Sequence, residues 1–437
     1  MKSSIHSVFT TKVQPTFLQR LVIGIDNVKA SILKGRNAGI KNPNKTIIPP
    51  QFIGEKRTLT QVIDEAEKLV QHQDGSLLFE IGKDLGDLTK NIHKLLGSRH
   101  SFLNTVSKYY FKSEGKRIRP LLVLLMSQAT SIAEKQYKID ATDFYQITDK
   151  PLTKHNDLLS YNNKDTIYYP TFSSSGTIIL PTQRRLAEII EMIHTASLLH
   201  DDVIDNSQMR RNDISANLYF GNKMTILAGD FLLARASIAL ARLRNPEVIE
   251  LIATIIANLV EGEFMQLKNV QNSTMSIFEY YIEKTYMKTA SLMAKSCQAA
   301  SVLGGATLEV SEIAYTYGRN LGLAFQLIDD MLDFMTTDEE LGKPTGADLK
   351  LGLATAPVLY ALEEYPELGP LIKRKFSQDG DVEKARGLVY KSNGIEQTKL
   401  LATSHCQKAI DAITRLPKSD ARNALIELTQ KVLTRRK

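Results

Sequence analysis

The chain contains no tryptophan and only two cysteines, Cys297 and Cys406, in 437 residues. Neither cysteine belongs to a CxxC motif or lies near a pair of histidines, which argues against a disulfide framework and a structural zinc site. Long apolar runs are missing too, because "LLVLLM" (121–126) and "LIATIIANLV" (251–260) fall short of the roughly 20 residues that a membrane span needs. We expect both runs to be core helices.

The start of the chain lacks acidic residues. None precedes Asp26, whereas Lys2, Lys12 and Arg20 lie among Ser, Thr and apolar residues. This composition is typical of an organelle transit peptide, and "FLQRLVIGI" favours the mitochondrion over the plastid; the alternative is a merely disordered basic tail. We predict a mitochondrial targeting segment and linker over residues 1–50, which ends in the turn-rich "NPNKTIIPPQ" (42–51).

Strand-like alternation is scarce, whereas apolar residues recur at three- and four-residue spacing from Leu59 onward. We predict an all-α fold, with one large helical domain over residues 51–437 that contains about ten or more helices around a central core. The exception is 131–183, where Pro, Asn, Ser and Gly interrupt the pattern and "GTIILP" fits a short strand. We interpret this region as an inserted loop between two core helices.

An acidic motif ends one of these helices. "LLHDDVID" contains Asp201, Asp202 and Asp205, and Asp201 and Asp205 share one helix face because they are four residues apart. Like charges at this spacing destabilise a helix unless a cation lies among them. Mg²⁺ prefers such oxygen ligands together with substrate phosphates. Taken alone, a DDxxD motif fits a solvated acidic helix end equally well.

The same arrangement recurs in "FQLIDDMLDF", where Asp329, Asp330 and Asp333 follow another apolar stretch. Two such motifs at the polar ends of two apolar helices favour a shared site over two solvated surfaces. We predict that they face each other across a cavity and that metal ions bridge both to one anionic ligand.

Basic residues accompany the two motifs. They are Lys116, Arg117 and Arg119 in "EGKRIRP", Arg210 and Arg211 after the first motif, Lys288 in "YMKTAS" and Lys343 in "LGKPTGADLK". Each alone is more often a solvated surface charge. Together with the aspartates they indicate two polyphosphate sites, one bridged by metal and one lined by Arg and Lys without metal.

With these motifs in this order, the chain resembles the trans-prenyltransferases, or isoprenyl diphosphate synthases, over roughly residues 60–437. It is most similar to the long-chain polyprenyl diphosphate synthases of the hexaprenyl type in fungal mitochondria, which make the ubiquinone side chain. The resemblance implies one helical bundle of the isoprenoid synthase type with a central cavity. It also implies Mg²⁺-dependent elongation of an allylic diphosphate, farnesyl or geranylgeranyl diphosphate, by isopentenyl diphosphate to a product of about C30.

The resemblance implies a role for each motif residue. The Mg²⁺ ligands around the allylic diphosphate are Asp201, Asp202, Asp205, Asp329 and Asp330, with Asp333 in an outer position. The same diphosphate is contacted by Arg210, Lys288 and Lys343, and isopentenyl diphosphate is bound by Lys116, Arg119, His194 and Arg211. The reacting carbons lie against Thr289 and Gln326, which stabilise the carbocation. From the residues alone, His194 would be interpreted as a satisfied core histidine.

Product length is connected with two small residues before the first motif. Ala196 precedes Asp201 by five residues, about 7.5 Å along a helix, and Ser197 is beside it. In the family, bulky residues at these positions close the pocket and shorten the product, so Ala196 and Ser197 imply a long product. The alternative is that small residues here only permit close helix packing.

One stretch departs from the family pattern, and the C-terminal tail has two possible interpretations. After the first motif this chain has "RRNDISAN" instead of RRGxPT, which removes a proline and adds Asp213. The terminal "LTRRK" either closes over the phosphates or is solvated, and we favour the solvated tail.

Other functions remain as alternatives. A class I terpene cyclase shares the all-α fold and one aspartate-rich motif, but its second metal motif usually contains Asn or Asp, Ser or Thr, and Glu. A non-catalytic or regulatory subunit of a heteromeric polyprenyl synthase would lack aspartates in one motif, and both motifs are intact here. We expect a homodimer or larger oligomer, no nucleic-acid partner, and peripheral contact with the matrix side of the mitochondrial inner membrane.

Overall fold

The structure, a computed structural model, describes residues 77–98, 100–111, 117–136, 178–211, 213–267, 276–335 and 346–435. The predicted targeting segment and linker, Lys116, Lys343 and most of the predicted insertion (137–177) lie outside these residues. The compact unit described below begins at Asp87.

The described elements are almost all helices. The first four are α1 (Leu77–Leu95), α2 (Ser101–Ser107), α3 (Ile118–Ser131) and α4 (Pro181–Ile204), with a 3-10 turn at Tyr109–Phe111. A hairpin of β1 (Met209–Arg210) and β2 (Asp213–Ile214) leads to α5 (Ala216–Phe220), α6 (Asn222–Ala241) and α7 (Pro246–Leu267). A π-helical turn (Tyr286–Ala290) joins α8 (Ile277–Thr285) to α9 (Ser291–Leu303). The rest are α10 (Leu308–Met335), α11 (Ala347–Lys350), α12 (Ala356–Glu364), α13 (Leu368–Lys373), α14 (Asp381–Lys391), α15 (Gly394–Ile413) and α16 (Asp420–Thr434).

The all-α prediction is confirmed, and one local prediction is wrong. The described end of "GTIILP" is not a strand, because 178–180 is irregular and Pro181 already begins α4. Proline suits the first turn of a helix, where no intrahelical partner for its missing N–H is needed. The β1–β2 hairpin was not predicted from the sequence.

Helix α10 packs against several other elements of the described part of the chain. It lies against α9, α15, α16, α12 and the π-helical turn. Two glycines permit its close approach, since an added Cβ would lie 2.6 Å from the Met293 carbonyl oxygen at Gly318 and 2.6 Å from Ala290 Cα at Gly322. Gln326 follows Gly322 by one helical turn, so this close contact brings Gln326 to the π-helical turn.

Helix α4 packs against α6, α3 and α9. Its predicted apolar stripe of Leu186, Ile189, Ile190 and Ile193 is buried. Helices α4 and α10 thus hold their acidic ends in place through extensive apolar burial along their lengths.

One helix in the described part of the chain, α6, is long and apolar enough to cross a membrane by length and composition alone. This helix contains Lys223, Asp230 and Arg235, so its sequence is not an uninterrupted apolar run. Core helices of soluble proteins pass the same test, and one such helix is weak evidence for a membrane span.

Candidate active site

Both acidic motifs reach one cavity of about 340 Å³. Asp201 and Asp205 line it from α4 and Asp330 lines it from α10, as the sequence predicted. Most of the other predicted residues also lie in its wall: Arg119, His194, Ser197, Arg210, Lys288, Thr289 and Gln326. Residues more than 200 positions apart in the chain thus form a single polar chamber.

Asp202 differs from its neighbours in the first motif. Its carboxylate is fully buried and does not line the cavity; it accepts hydrogen bonds from the Tyr110 hydroxyl and from Arg210, whose Nε lies 2.9 Å from Oδ1. The Tyr110 oxygen in turn accepts the backbone N–H of Ala216 at 2.8 Å. Asp202, predicted as a metal ligand, therefore anchors Arg210 and the start of α5 in this structure.

The hairpin after the first motif directs Arg210 and Arg211 to different cavities. Arg210 is the strand partner of Asp213, the residue that departs from the family pattern. Arg211 has a φ of 54°, a conformation that is uncommon for a residue with a side chain. Its side chain lines a separate cavity of about 10 Å³, about the size of one water, together with Arg117 and Glu191.

Arg119 and His194 form a pair in the wall of the large cavity. Arg119 Nη1 lies 3.0 Å from His194 Nε2. Because arginine can only donate, His194 accepts through Nε2 and carries its proton on Nδ1. Burial and the nearby charges of Arg119 and Arg211 lower the pKa of His194 well below its usual value, so the imidazole is neutral. His194 is thus a site residue rather than a plain core histidine.

The π-helical turn presents Lys288 and Thr289 to the cavity. Such turns insert an extra residue into a helix and are frequent at functional sites. Lys288 forms an ion pair with Glu263 and a 3.0 Å hydrogen bond with Gln266 Oε1, both on α7. Gly262 makes room for it, since a Cβ there would lie 2.7 Å from Lys288 Cγ.

Thr289 and Gln326 are in direct contact. The Thr289 hydroxyl donates to Gln326 Oε1 at 3.0 Å, and Gln326 Nε2 donates to Asp330 Oδ1 at 2.8 Å. The Tyr281 hydroxyl donates to the other oxygen of Asp330 at 2.5 Å. This chain of bonds ties the π-helical turn to the second motif and orients the buried Asp330 carboxylate.

The other two aspartates of the second motif have partners outside the cavity. Asp333 accepts the backbone N–H groups of Ala347 and Asp348 at 3.2 Å each, and thereby holds the start of α11. Asp329 accepts a hydrogen bond from Arg435, near the C-terminal end of the chain. The expectation of a solvated "LTRRK" tail is therefore wrong for Arg435.

Sequence reasoning missed Asp348, which lines the cavity on α11. The signal was present, since Asp348 lies in the quoted stretch "LGKPTGADLK", but nothing in that stretch shows that α11 folds back onto the second motif. Asp333 makes that connection.

Four aspartates, Asp201, Asp205, Asp330 and Asp348, line the cavity beside four Lys or Arg side chains. Burial, reinforced by Glu263, raises the pKa of Asp201 to about 7. Burial also raises the pKa of Asp330 to about 6 and, with Asp330 and Asp333 nearby, that of Asp348 to about 8. Such shifts concentrate at functional sites. Carboxylates in this state favour a cation.

The carboxylates suit divalent cations through their hard oxygen donors. In the part of the chain that the structure describes, no three His, Cys, Asp or Glu side chains form a ready-made metal site.

The two predicted chain-length residues have different surroundings. Ser197 lines the cavity, whereas Ala196 is fully buried and is not among its lining residues. The apolar part of the wall comes from Leu198, Leu259 and Leu292 on three different helices and from Leu351 and Leu353 after α11. The cavity thus combines a polar region with an apolar wall.

Comparison with known proteins gives a consistent result. Residues 171–389 match the family described as Polyprenyl synthetase. The chain is 56% identical over 358 residues to the "Probable hexaprenyl pyrophosphate synthase, mitochondrial" of Neurospora crassa. This match covers 80% of this chain and 79% of that protein. It is 49% identical over 362 residues to "Decaprenyl-diphosphate synthase subunit 1" of Schizosaccharomyces pombe, covering 82% of this chain and 90% of that protein.

A solved structure is similar as well. It is the polyprenyl synthase of Caulobacter crescentus, described as complexed with calcium and isoprenyl diphosphate. The TM-score is 0.66 at 30% sequence identity, over 84% of this chain and all of that one.

Proposed function

Because the chain belongs to the polyprenyl synthetase family, we propose that it is a Mg²⁺-dependent trans-polyprenyl diphosphate synthase. It elongates farnesyl or geranylgeranyl diphosphate with isopentenyl diphosphate to a long product, hexaprenyl diphosphate of about C30, for the ubiquinone side chain. The observation that carries the proposal is the single cavity lined by Asp201 and Asp205 of one motif and Asp330 of the other, beside an apolar wall.

The metal-binding residues are Asp201 and Asp205 on α4 and Asp329 and Asp330 on α10, with Asp202 and Asp333 supporting them. The site accepts a divalent cation chemically, because its cavity-facing donors are hard carboxylate oxygens, and burial raises the pKa of Asp201 and Asp330. When bound there, Mg²⁺ supplies electrostatic stabilisation of the leaving diphosphate. Relatives of known structure include one described with calcium, which is consistent with divalent metal binding in the family.

Two sets of side chains bind the two diphosphates. Arg210, Lys288 and Lys343 bind the diphosphate of the allylic substrate. Lys116, Arg119, His194 and Arg211 bind isopentenyl diphosphate. The 3.0 Å contact between Arg119 and neutral His194 supports the second set, since the imidazole N–H and the guanidinium both provide donors without adding a further buried charge.

Thr289 and Gln326 face the reacting carbons. Cleavage of the allylic C–O bond leaves a carbocation, and the double bond of isopentenyl diphosphate attacks it. The Thr289 and Gln326 oxygens, oriented by their mutual bond and by Asp330, stabilise that positive charge. Loss of a proton completes the cycle, and the released diphosphate can accept this proton.

The growing chain runs along the apolar wall past Ser197, away from the aspartates. The small side chain of Ser197 keeps this path open. Ala196 is buried beside Ser197, and its small side chain permits close helix packing there. A product of about thirty carbons is poorly soluble in water. It therefore leaves the protein toward a lipid phase.

This chemistry supports a mitochondrial location with peripheral contact on the matrix side of the inner membrane, in line with the mitochondrial name of the Neurospora relative. We further propose a homodimer or larger oligomer. Helices α6 and α7 support it, because Leu227 on α6 and Val260, Phe264 and Leu267 on α7 are each more than half exposed.

The test is elongation by the full chain alone. The purified protein is given farnesyl diphosphate, labelled isopentenyl diphosphate and Mg²⁺, and products are sized by reversed-phase chromatography. We expect metal-dependent products of about C30, loss of activity in Asp201→Asn, and unchanged activity in Asp230→Asn, which alters an exposed aspartate on α6. Products that stop at C15 or C20 would refute the long-chain assignment.

A second function is favoured by one observation. The Schizosaccharomyces relative is named as subunit 1 of its synthase. If this chain elongates only when a second polypeptide is added, it is the catalytic subunit of a heteromer. A failure of metal-dependent elongation under both conditions would contradict either proposal.

A further inference from the structure

The segment "EKTYMKTA" (283–290) contains Lys-Thr twice, at Lys284–Thr285 and at Lys288–Thr289. Residues four apart in a helix lie on the same face, and all four of these side chains line the cavity. The second pair includes residues with proposed roles in catalysis. The first pair ends α8, immediately before the π-helical turn.

Lys284 differs from the other cations of the cavity wall. Arg210 is bound to Asp202, Lys288 to Glu263 and Arg119 to His194. Among the described cations that line the cavity, only Lys284 has neither an ion pair within 4.0 Å nor a hydrogen bond. Its Nζ lies 5.6 Å from the centre of the Tyr281 ring, a cation–π contact that leaves the ammonium hydrogens available.

Thr285 does not share this property. Its hydroxyl donates to the Tyr281 carbonyl oxygen at 2.8 Å, so its hydrogen is already used within the helix. The duplication of Lys-Thr therefore adds one available donor group, the Lys284 ammonium, and not two.

The surroundings of Lys284 are acidic. Asp330 and Asp348 line the same cavity, and their charges oppose the lowering of the Lys284 pKa by burial. Both aspartates are held in place, Asp330 by Tyr281 and Gln326, and Asp348 through the bond from its N–H to Asp333. Lys284 nevertheless reaches neither carboxylate within 4.0 Å.

This arrangement suits a ligand that carries both a cation and an anion. A metal ion would balance the charge of the carboxylates, and a phosphate oxygen would accept hydrogen bonds from the ammonium group. We propose that Lys284 is a further substrate-binding residue, which donates hydrogen bonds to the diphosphate group of the allylic substrate beside Asp330 and Asp348. The inference rests on the proposed function.

A lysine with only a structural role would respond differently to substitution than one that binds substrate. An unpaired, partly buried ammonium group costs stability, and an apolar side chain of similar length commonly costs nothing or stabilises at such positions. Lys284→Met should therefore fold with an unchanged or higher thermal midpoint. If Lys284 binds substrate, the same variant should lose affinity for diphosphate, so stability and binding separate.

The experiment compares four forms of the full chain: wild type, Lys284→Met, Lys284→Arg and the control Lys295→Met. Lys295 lies on α9 with partial burial and is not a lining residue. For each we would measure KM for farnesyl diphosphate, KM for isopentenyl diphosphate, and binding of inorganic diphosphate with Mg²⁺ by calorimetry.

Lys284→Met should raise KM for farnesyl diphosphate and the Kd for inorganic diphosphate by about 10-fold or more, the usual effect of losing a hydrogen bond to a charged group. KM for isopentenyl diphosphate should change less than about twofold, Lys284→Arg should recover most of the loss, and Lys295→Met should match the wild type. Unchanged constants in Lys284→Met overturn the proposal, as does equal impairment of Lys284→Met and Lys284→Arg.

The binding measurement also separates this proposal from the proposed function. If the wild type binds diphosphate but never elongates, the assigned reaction is wrong, and the Kd comparison still decides the role of Lys284.

Discussion

The guanidinium group of Arg435 lies against the carboxylate of Asp329, the first aspartate of the second motif. It also donates to the Phe325 carbonyl oxygen at 2.8 Å and stacks over the Phe325 ring at 3.9 Å. A basic residue near the C-terminal end thus occupies a carboxylate that we assign to metal binding. We therefore expect Arg435 and a divalent cation to compete for the Asp329 carboxylate.

Arg435→Gln should strengthen divalent cation binding in the absence of substrate, because it removes this competition. We expect a Kd for Mg²⁺ or Mn²⁺ lower by about fivefold, as roughly 1 kcal/mol for a solvent-screened pair implies. Calorimetry would measure it. The matched control is Arg415→Gln, which breaks an exposed ion pair with Glu309. Equal metal affinities in all three forms would show that Arg435 does not compete.

The metal-free protein should become less stable as the pH rises through the pKa values of the buried aspartates in the site. Burial raises the pKa of Asp201 to about 7 and of Asp348 to about 8 from the ordinary 3.8. The folded state therefore binds these protons more tightly than the unfolded state. Their stabilising contribution is complete below about pH 4 and is lost as pH rises to about 8.

Metal and diphosphate offset this loss. The increase in Tm on adding Mg²⁺ with inorganic diphosphate should be larger at pH 8 than at pH 6, since bound metal requires the deprotonated carboxylates. Differential scanning fluorimetry would measure it, with Asp201→Asn as the variant in which the pH dependence shrinks. An increase that is the same at both pH values would argue against these carboxylates as the metal site.

Tyr281→Phe removes one of the two side chains that orient Asp330. The change deletes the 2.5 Å hydrogen bond and leaves only Gln326 on that carboxylate. Partners of metal ligands commonly contribute 10- to 100-fold, so we expect kcat/KM to fall by about 10-fold or more. Tyr286→Phe is the control, because its hydroxyl bonds to Tyr315. Equal activity in both variants would make Tyr281 dispensable.

Ser197→Phe should shorten the products, because a large ring at this lining position blocks the path along the apolar wall. Reversed-phase sizing should show the main product moving to about C20 or below. Ala196→Phe places the same ring at a fully buried position, where overpacking costs typically 1–3 kcal/mol. We expect a lower Tm there with smaller change in length. Unaltered product length in Ser197→Phe would refute its role.

Local sequence patterns predicted part of this site because helix periodicity determines which residues of one helix share a face. The spacing of Asp201 and Asp205 places both on one face of α4, and the structure shows both in the cavity. The apolar stripe before them identified the helix and its buried side. The basic motifs identified Arg119, Arg210 and Lys288 in the wall, and the family resemblance added His194, Thr289 and Gln326.

The remaining features depend on residues far apart in the chain. Asp202 follows Asp201 by about 100° of helix rotation, and its partner Tyr110 is separated from it by 92 positions. No local pattern indicates that Tyr110 would be there, or that Arg435 would reach Asp329 across 106 positions. The same holds for Asp348, whose place depends on the two backbone bonds of Asp333.

The sequence by itself therefore determined the helices, their buried faces, the two acidic motifs and the family. Only the tertiary structure decided which carboxylates face the cavity, which are held by tyrosine or arginine, and which lysine stays available. The physical reason is that helix periodicity sets directions within one element, whereas burial and hydrogen-bond partners are set by packing between elements. At Gly318 and Gly322 that packing leaves no room for a Cβ, and it brings Gln326 within 3.0 Å of Thr289.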